Sequence, residues 1–225
     1  MFEKLFENFT PNMLALFVES LAQTVAMVGV SGLIGALLGI PLGVYLRLTD
    51  QGGVLANAKA NKIVGGLVNA VRSTPFIILM VAIIPLTRLI AQTSIGTTAA
   101  MVPLTIAAAP FIARLVEAAL REVDGGLIEA AQAMGANTWQ IVWKVLLPEA
   151  LPGIVAALTI TFVSLTGYSA MAGAVGGGGL GDLAIRYGYQ RFLPDVMLAV
   201  VLILIVFVQI IQSVGDWVVR RLKHS

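Results

Sequence analysis

The sequence predicts an all-α membrane protein that crosses the bilayer five times. Three observations carry this expectation. Hydrophobic residues make up 58% of the 225 residues and charged residues only 12%, with a mean hydropathy of +0.93. Soluble domains average about 25% charged residues, so this chain lacks the charge to cover a water-facing surface. Apolar runs of about 20 residues, the length that crosses a hydrocarbon core of about 30 Å, recur along the whole chain. The 14 Lys and Arg residues stand mostly at the ends of those runs, so the net charge of +2 forms no basic stripe of the kind nucleic acid requires. The length suits one membrane domain.

The elements follow in order. Residues 1–20 read as an N-terminal interfacial segment. Phe2, Leu5, Phe6 and Phe9 repeat at helical spacing, and Thr10-Pro11 would end that helix and re-aim the chain. The start mixes Glu3 with Lys4, so no cleavable signal peptide is expected. The first span, about Leu21 to Leu46, carries Gly35, Gly39 and Gly43 on one face. Such a small face suits close helix packing within one subunit better than a dimer seam. The second span, about Val64 to Leu89, holds Asn69, Arg72, Ser73 and Pro75 before its clean apolar run. The third runs from about Thr97 to Val116, the fourth from about Pro152 to Met171, and the fifth from about Val196 to Val218. Residues 215–225 are the end of the last span and a basic tail containing Arg220, Arg221 and Lys223, with the single histidine, His224, in it.

Charge bias sets the orientation. With the segment between the third and fourth spans inside, ten basic residues (Arg47, Lys59, Lys62, Arg72, Arg114, Arg121, Lys144, Arg220, Arg221, Lys223) face the cytoplasm, against Lys4, Arg88, Arg186 and Arg191 outside. Five spans then place the N-terminus outside and the C-terminus inside. There the basic tail would meet anionic lipid.

The segment between the third and fourth spans reads as two short helices. Asp124 caps the first, on which Leu127, Ala131 and Met134 share a face, and Gly135 ends it, since glycine adopts the left-handed conformation at little cost. Asn137 caps the second, and Gln140 completes a capping-box spacing. Trp139, Val142, Trp143 and Leu146 form an apolar stripe, and Pro148 is expected to stop the helix. The tryptophans suit a lipid interface or a partner's groove. Lipid alone does not explain the small residues Ala130, Ala131, Ala133 and Gly135 beside Glu129.

Several chemistries are excluded. The absence of cysteine removes disulfides, thiolate metal sites and cysteine nucleophiles. No G-x-x-x-x-G-K-[ST] phosphate loop occurs in the sequence, so the chain is not expected to be an enzyme or to bind ATP and magnesium itself. Gly176, Gly178 and Gly181 fit G-x-G-x-x-G but follow a membrane span instead of a strand, so they read as a tight loop packed against backbone. The fourth span has no ionisable residue from Pro152 to Met171, nor the fifth from Val196 to Gly215. Ion-coupled carriers need such groups, and the energy for any transport would come from outside the chain. Arg72, Arg114 and Glu117 lie toward the inner ends, where snorkelling or an i, i+3 pair of Arg114 with Glu117 accounts for them.

Glu129-Ala130-Ala131 is followed by Gly135 and then, after nine residues, by Val145-Leu146-Leu147-Pro148. This pattern, E-A-A-x3-G-x9-[IV]-x-L-P, resembles the coupling loop of ABC importer permeases. Arg72-Ser73-Thr74-Pro75-Phe76, Pro103-Leu104-Thr105, Ala109 to Arg114, and Gly167-Tyr168-Ser169-Ala170-Met171 extend the likeness. Together they resemble the methionine-import permeases of bacterial ABC transporters, with Gly167 to Leu180 narrowing the match to that group. The resemblance implies a type I importer permease fold, with an ABC type-1 transmembrane domain over residues 21–214, in the bacterial inner membrane. It implies a second copy of the chain, two ATPase subunits that bind ATP and magnesium, and an external substrate-binding protein or lipoprotein. Glu129, Ala130, Ala131, Met134, Gly135 and Pro148 would couple to the ATPase. Met171, Tyr168, Ser169 and Thr105 would line or close the path, with Met171 equally readable as core filler. A permease for another amino acid, a secondary carrier or channel, and a scaffold without substrate are the other readings of the same chain.

Overall fold

The computed structural model describes residues 10–223, and all its regular structure is helical. The expected interfacial helix at Phe2 to Phe9 and the tail residue His224 lie outside the described residues. Ten α-helices follow in order: α1 Pro11–Thr49, α2 Ala58–Ser73, α3 Phe76–Ala82, α4 Ile84–Ala91, α5 Thr97–Arg121, α6 Gly125–Ala133, α7 Thr138–Ile141, α8 Leu147–Ala172, α9 Gly179–Leu183 and α10 Pro194–Lys223. Among the described residues, the π-helical segments Val142–Leu146 and Ala184–Tyr189 and the kinked stretch Gly173–Gly177 join or extend them.

Four helical runs are long and apolar enough to cross a membrane: Pro11–Thr49, Thr97–Arg121, Thr138–Gly177 and Pro194–Leu222. The expected second span is not one helix. Pro75 cannot donate to the ladder and restricts the residue before it; accordingly α2 ends at Ser73 and α3 starts at Phe76. The pair taken together gives the fifth candidate span. The first span also begins earlier than expected. Pro11 opens α1 at a position where proline's missing N–H costs nothing, so residues 11–20 belong to the same helix as the span. At the other end α10 carries the helix on to Lys223.

Pro148 does not stop its helix, contrary to expectation. The helical run is continuous from Thr138 through Pro148 to Ala172 because the backbone shifts register just before the proline. Val142–Leu146 is π-helical, and the Leu147 N–H bonds the Val142 carbonyl five residues back. The wider turn passes Pro148 on into α8. The second hairpin helix and the fourth span are therefore one rod.

The contacts gather into two units. One comprises residues 10–33, 75–106 and 162–212; the other comprises 34–74, 107–161 and 213–223. In the first unit, Phe17, Leu180, Leu183, Val196 and Val200 form a buried cluster. The glycine-rich stretch there is close-packed and turns tightly, as expected: Val175 and Gly176 leave helical geometry, and Gly176, Gly178 and Gly179 all take positive φ as the short helix α9 begins. A Cβ on Gly173 would stand 2.8 Å from the Gly178 carbonyl oxygen. Its short helix α9 is capped from α1: the Gly179 N–H donates to Gln23 Oε1 at 2.7 Å, and the Leu180 N–H to Thr24 Oγ1 at 2.9 Å. In the second unit the Gly35, Gly39 and Gly43 face packs on α5. A Cβ at Gly39 would meet the Ala109 carbonyl at 2.6 Å, and one at Gly43 the Ala113 carbonyl at 2.6 Å. The small face serves packing within the chain, where lipid offers no hydrophobic drive and close approach supplies the attraction.

Candidate functional site

The hairpin α6–α7 is built by local chemistry that the sequence displays. Asp124 Oδ1 accepts the Gly126 N–H at 2.8 Å, filling one of the orphan donors of a helix start. Helix α6 closes with two bonds, Gly135 N–H to the Gln132 carbonyl at 2.9 Å and Ala136 N–H to the Ala131 carbonyl at 3.0 Å. This is the paired pattern of a Schellman ending, and Gly135 takes the φ of +81° that it demands. The Asn137 and Gln140 capping box is fully formed, with both reciprocal bonds at 2.9 Å.

Burial divides the expected apolar faces. Ala131 is buried, but Leu127 and Met134 are exposed, Met134 at 82%. On the next turns Ile141, Val142 and Leu146 are buried, while Trp139 and Trp143 stand 69% and 63% exposed, their rings 6.2 Å apart. The single stripe expected from periodicity is thus two faces: Val142 and Leu146 inside the fold, and Trp139 and Trp143 together on the outside, with Leu127 and Met134 also exposed on α6 and its closing turn. Glu129, Ala130, Gln132, Ala133 and Gly135 are exposed as well. Glu129 also lines a cleft with Arg47, Gly53, Ile128 and Gln132. Of the coupling residues, all but Pro148 sit on α6 and its closing turn, and Pro148 is exposed on the first turn of α8.

The candidate path residues belong to the other unit. Met171 is 49% exposed on α8 and so is not packed as a core methionine would be. Tyr168 stacks on Phe76, with ring centroids 4.8 Å apart and planes 8° from parallel, so the first residue of α3 is fixed against α8. Ser169 is buried, its Oγ donating to the Thr166 carbonyl at 2.8 Å. Thr105 Oγ1 donates to the Met101 carbonyl at 2.8 Å. Both hydroxyls are therefore turned back onto their own helices.

Glu117 departs from the expected snorkelling. It is 2% exposed and is held by Arg114 and Arg121, each at 2.7 Å. The Arg114–Glu117 pair is the one expected at i, i+3; the Arg121–Glu117 pair at i, i+4 is added by the structure. What the sequence hides is that Asp50, Asn69 and the Gly65 carbonyl complete the cluster. Arg72 lies 5.8 Å from the Phe111 ring centroid, an attraction of the cation–π kind.

Long apolar helices, one span broken at a proline, together with an amphipathic hairpin that buries one face and leaves the other exposed, define the class: a membrane permease component. The family model described as the binding-protein-dependent transport system inner membrane component matches residues 39–224, and the chain belongs to that family. It is 60% identical over 202 residues to the "Probable D-methionine transport system permease protein" of Vibrio cholerae, covering 90% of each chain. It is 58% identical over 161 residues to the D-methionine transport system permease protein of Escherichia coli, covering 72% of this chain and 74% of that one. A solved inward-facing structure of the MetNI methionine ABC transporter superposes with a TM-score of 0.94 at 53% identity, covering 95% of this chain and 99% of that chain. An amino acid ABC transporter at 21% identity, TM-score 0.75, shares the fold.

Proposed function

We propose that this chain is the membrane permease subunit of an ATP-driven methionine importer. Two copies frame the path, two separate ATPase subunits bind ATP and magnesium and dock on α6–α7, and an external binding protein delivers the amino acid. The observation that carries the reading is the exposed side of the α6–α7 hairpin. Large apolar side chains stand beside small residues on a rigidly capped element, as a helix made to lie in a partner's groove requires. The identity with methionine permeases supports the substrate. The D enantiomer in the relatives' names makes D-methionine the form to test beside L-methionine.

Glu129 supplies a charged contact at the groove, Ala130 and Ala133 let its wall approach, and Gly135 sets the angle between α6 and α7. Because α7 runs without a break through Val142–Leu146 into α8, displacement of α7 is applied to the start of α8, the helix that carries Met171. Met171 closes the path with a side chain that changes rotamer at low cost. The hairpin faces the cytoplasm, by the bias of basic residues. The test is uptake by proteoliposomes containing this chain, its ATPase and its binding protein. Labelled methionine should accumulate only with internal ATP, and unlabelled methionine should compete better than other amino acids. Uptake driven by an ion gradient without the ATPase would refute the reading.

A further inference from the structure

Four charged side chains link the Arg121 end of α5 to two other segments, and Glu117 is their hub. One of its oxygens accepts from Arg114 Nη1 and the other from Arg121 Nη2, both at 2.7 Å. Arg121 reaches on to Asp50, in the segment joining α1 to α2, at 2.9 Å. Arg114 reaches α2, donating Nε to Asn69 Oδ1 at 3.1 Å and Nη2 to the Gly65 carbonyl at 2.8 Å. Beside them Arg47 Nε donates to the Leu120 carbonyl at 3.3 Å, and Asn61 Nδ2 to the Leu46 carbonyl at 2.8 Å. Three segments, α5, α2 and the Thr49 end of α1, are thus tied by directional bonds.

Stability alone is a poor reason for such a device. A buried carboxylate must recover its lost hydration from its partners, and well-packed apolar side chains often hold helices together as well. What charge-assisted bonds add is a fixed register. Apolar surfaces slide over one another; a carboxylate shared by two guanidinium groups does not. The position of the hub is informative too. Arg121 ends α5, only Glu122 and Val123 intervene, and Asp124 is the cap of α6. Along the chain, α6 and its cap are thus joined to the network by two residues.

We propose that Glu117 is a positioning residue for energy coupling: through Arg114 and the Arg121–Asp50 pair it makes α5, α2 and the Thr49 end of α1 move as one body when the docked ATPase displaces α6. This inference rests on the reading of α6–α7 as the ATPase-docking element. Without the hub the same displacement rotates α5 alone, and ATP is hydrolysed with less substrate moved.

The test is the ratio of methionine imported to ATP hydrolysed, measured on the full reconstituted complex. Glu117→Gln removes the charge at nearly constant shape. It should leave the ATPase bound and hydrolysis running while lowering the ratio by about two- to thirtyfold, the range typical of changes within a coupling network. Glu117→Asp keeps the charge and should recover part of the loss. Asp50→Asn and Arg121→Gln act at the more exposed end of the network and carry the test even if Glu117→Gln fails to assemble. Each should lower the ratio, and the double variant should be no worse than Arg121→Gln, because the two changes break one pair. A wild-type ratio in every assembled variant overturns the inference, as does proportionate loss of yield, hydrolysis and uptake, the mark of a purely structural hub. If the ATPase fails to associate with the unsubstituted chain, the docking reading falls and takes this inference with it. Normal wild-type import with unaffected variants removes the inference alone.

Discussion

Replacing Gly135 tests whether the angle of the hairpin, and not merely its surface, carries coupling. The residue holds a φ of +81°, and a Cβ built on it would have nothing within 4 Å. A side chain here meets no steric wall in its own chain, so the cost is one of backbone conformation. An L-residue in the left-handed region costs about 1–2 kcal/mol; asparagine tolerates it better than most, and a β-branched residue least well. The alternative is to abandon the conformation, giving up the Gly135-to-Gln132 and Ala136-to-Ala131 bonds at about 0.5–1.5 kcal/mol each. Either loss is too small to unfold the chain. It is large enough to re-aim α7, and with it Trp139 and Trp143, relative to α6. Gly135→Val should therefore reach the membrane at near-normal yield, release the ATPase during co-purification and abolish uptake. Gly135→Ala should be intermediate and Gly135→Asn mildest. The ordering is decisive, because asparagine and valine are similar in bulk. If Gly135→Asn is as damaging as Gly135→Val, crowding of the partner's groove explains the defect and the conformational argument is wrong. If Gly135→Val binds the ATPase normally, α6–α7 is not the docking element.

Met171→Ala should cost less stability than the about 2–5 kcal/mol of a buried methionine, because the side chain is half exposed; a leak of substrate or raised ATP hydrolysis without substrate, at unchanged melting temperature, is the expected result. Gly39→Leu should destabilise the chain in detergent by at least about 1–3 kcal/mol, since its first carbon already lies 2.6 Å from the Ala109 carbonyl and 2.8 Å from Ile112 Cβ. Gly29→Leu, with nothing within 4 Å of its Cβ, is the control on the same helix, and equal melting temperatures for the two would contradict the packing account. Orientation is readable with single cysteines in a chain that has none. Gly178 is a poor site, its φ being +77° and Gln23 Oε1 lying 2.7 Å from its would-be Cβ. Gln190→Cys and Gln51→Cys, both exposed, should label only from outside and only from the cytoplasm, respectively, and the reverse pattern would invert the topology.

What the sequence displays and what it hides divide along a physical line. Interactions closed within about one helical turn were legible. Asp124, Gly135 and the Asn137–Gln140 box each act on backbone two to five residues away, so residue type and spacing determine the outcome, and the structure has all three. Pro148 failed as a stop signal because its effect depends on the register of the turn before it. One extra residue in the π-helical turn Val142–Leu146 lets the proline pass inside the rod, and no residue type announces that register. The tryptophan stripe failed for another reason. Periodicity reports which side chains are apolar, and an apolar arc wide enough to serve both a core and a partner reads as one face. Only the position of α6–α7 on its own unit assigns Val142 and Leu146 to the inside, and Trp139 and Trp143 to the outside. Glu117 lies between these cases. Its i, i+3 pairing with Arg114 was visible, whereas Asp50 joins Arg121, and Asn69 and Gly65 join Arg114, from 45 to 71 positions up the chain, and no local pattern brings them together. A charged residue in an apolar helix whose near neighbours already neutralise it reads locally as a satisfied surface pair. That it is instead buried, and tied to two further segments, follows only from the fold, which is why the element proposed here to hold the coupling machinery in register is the one that the sequence least advertises.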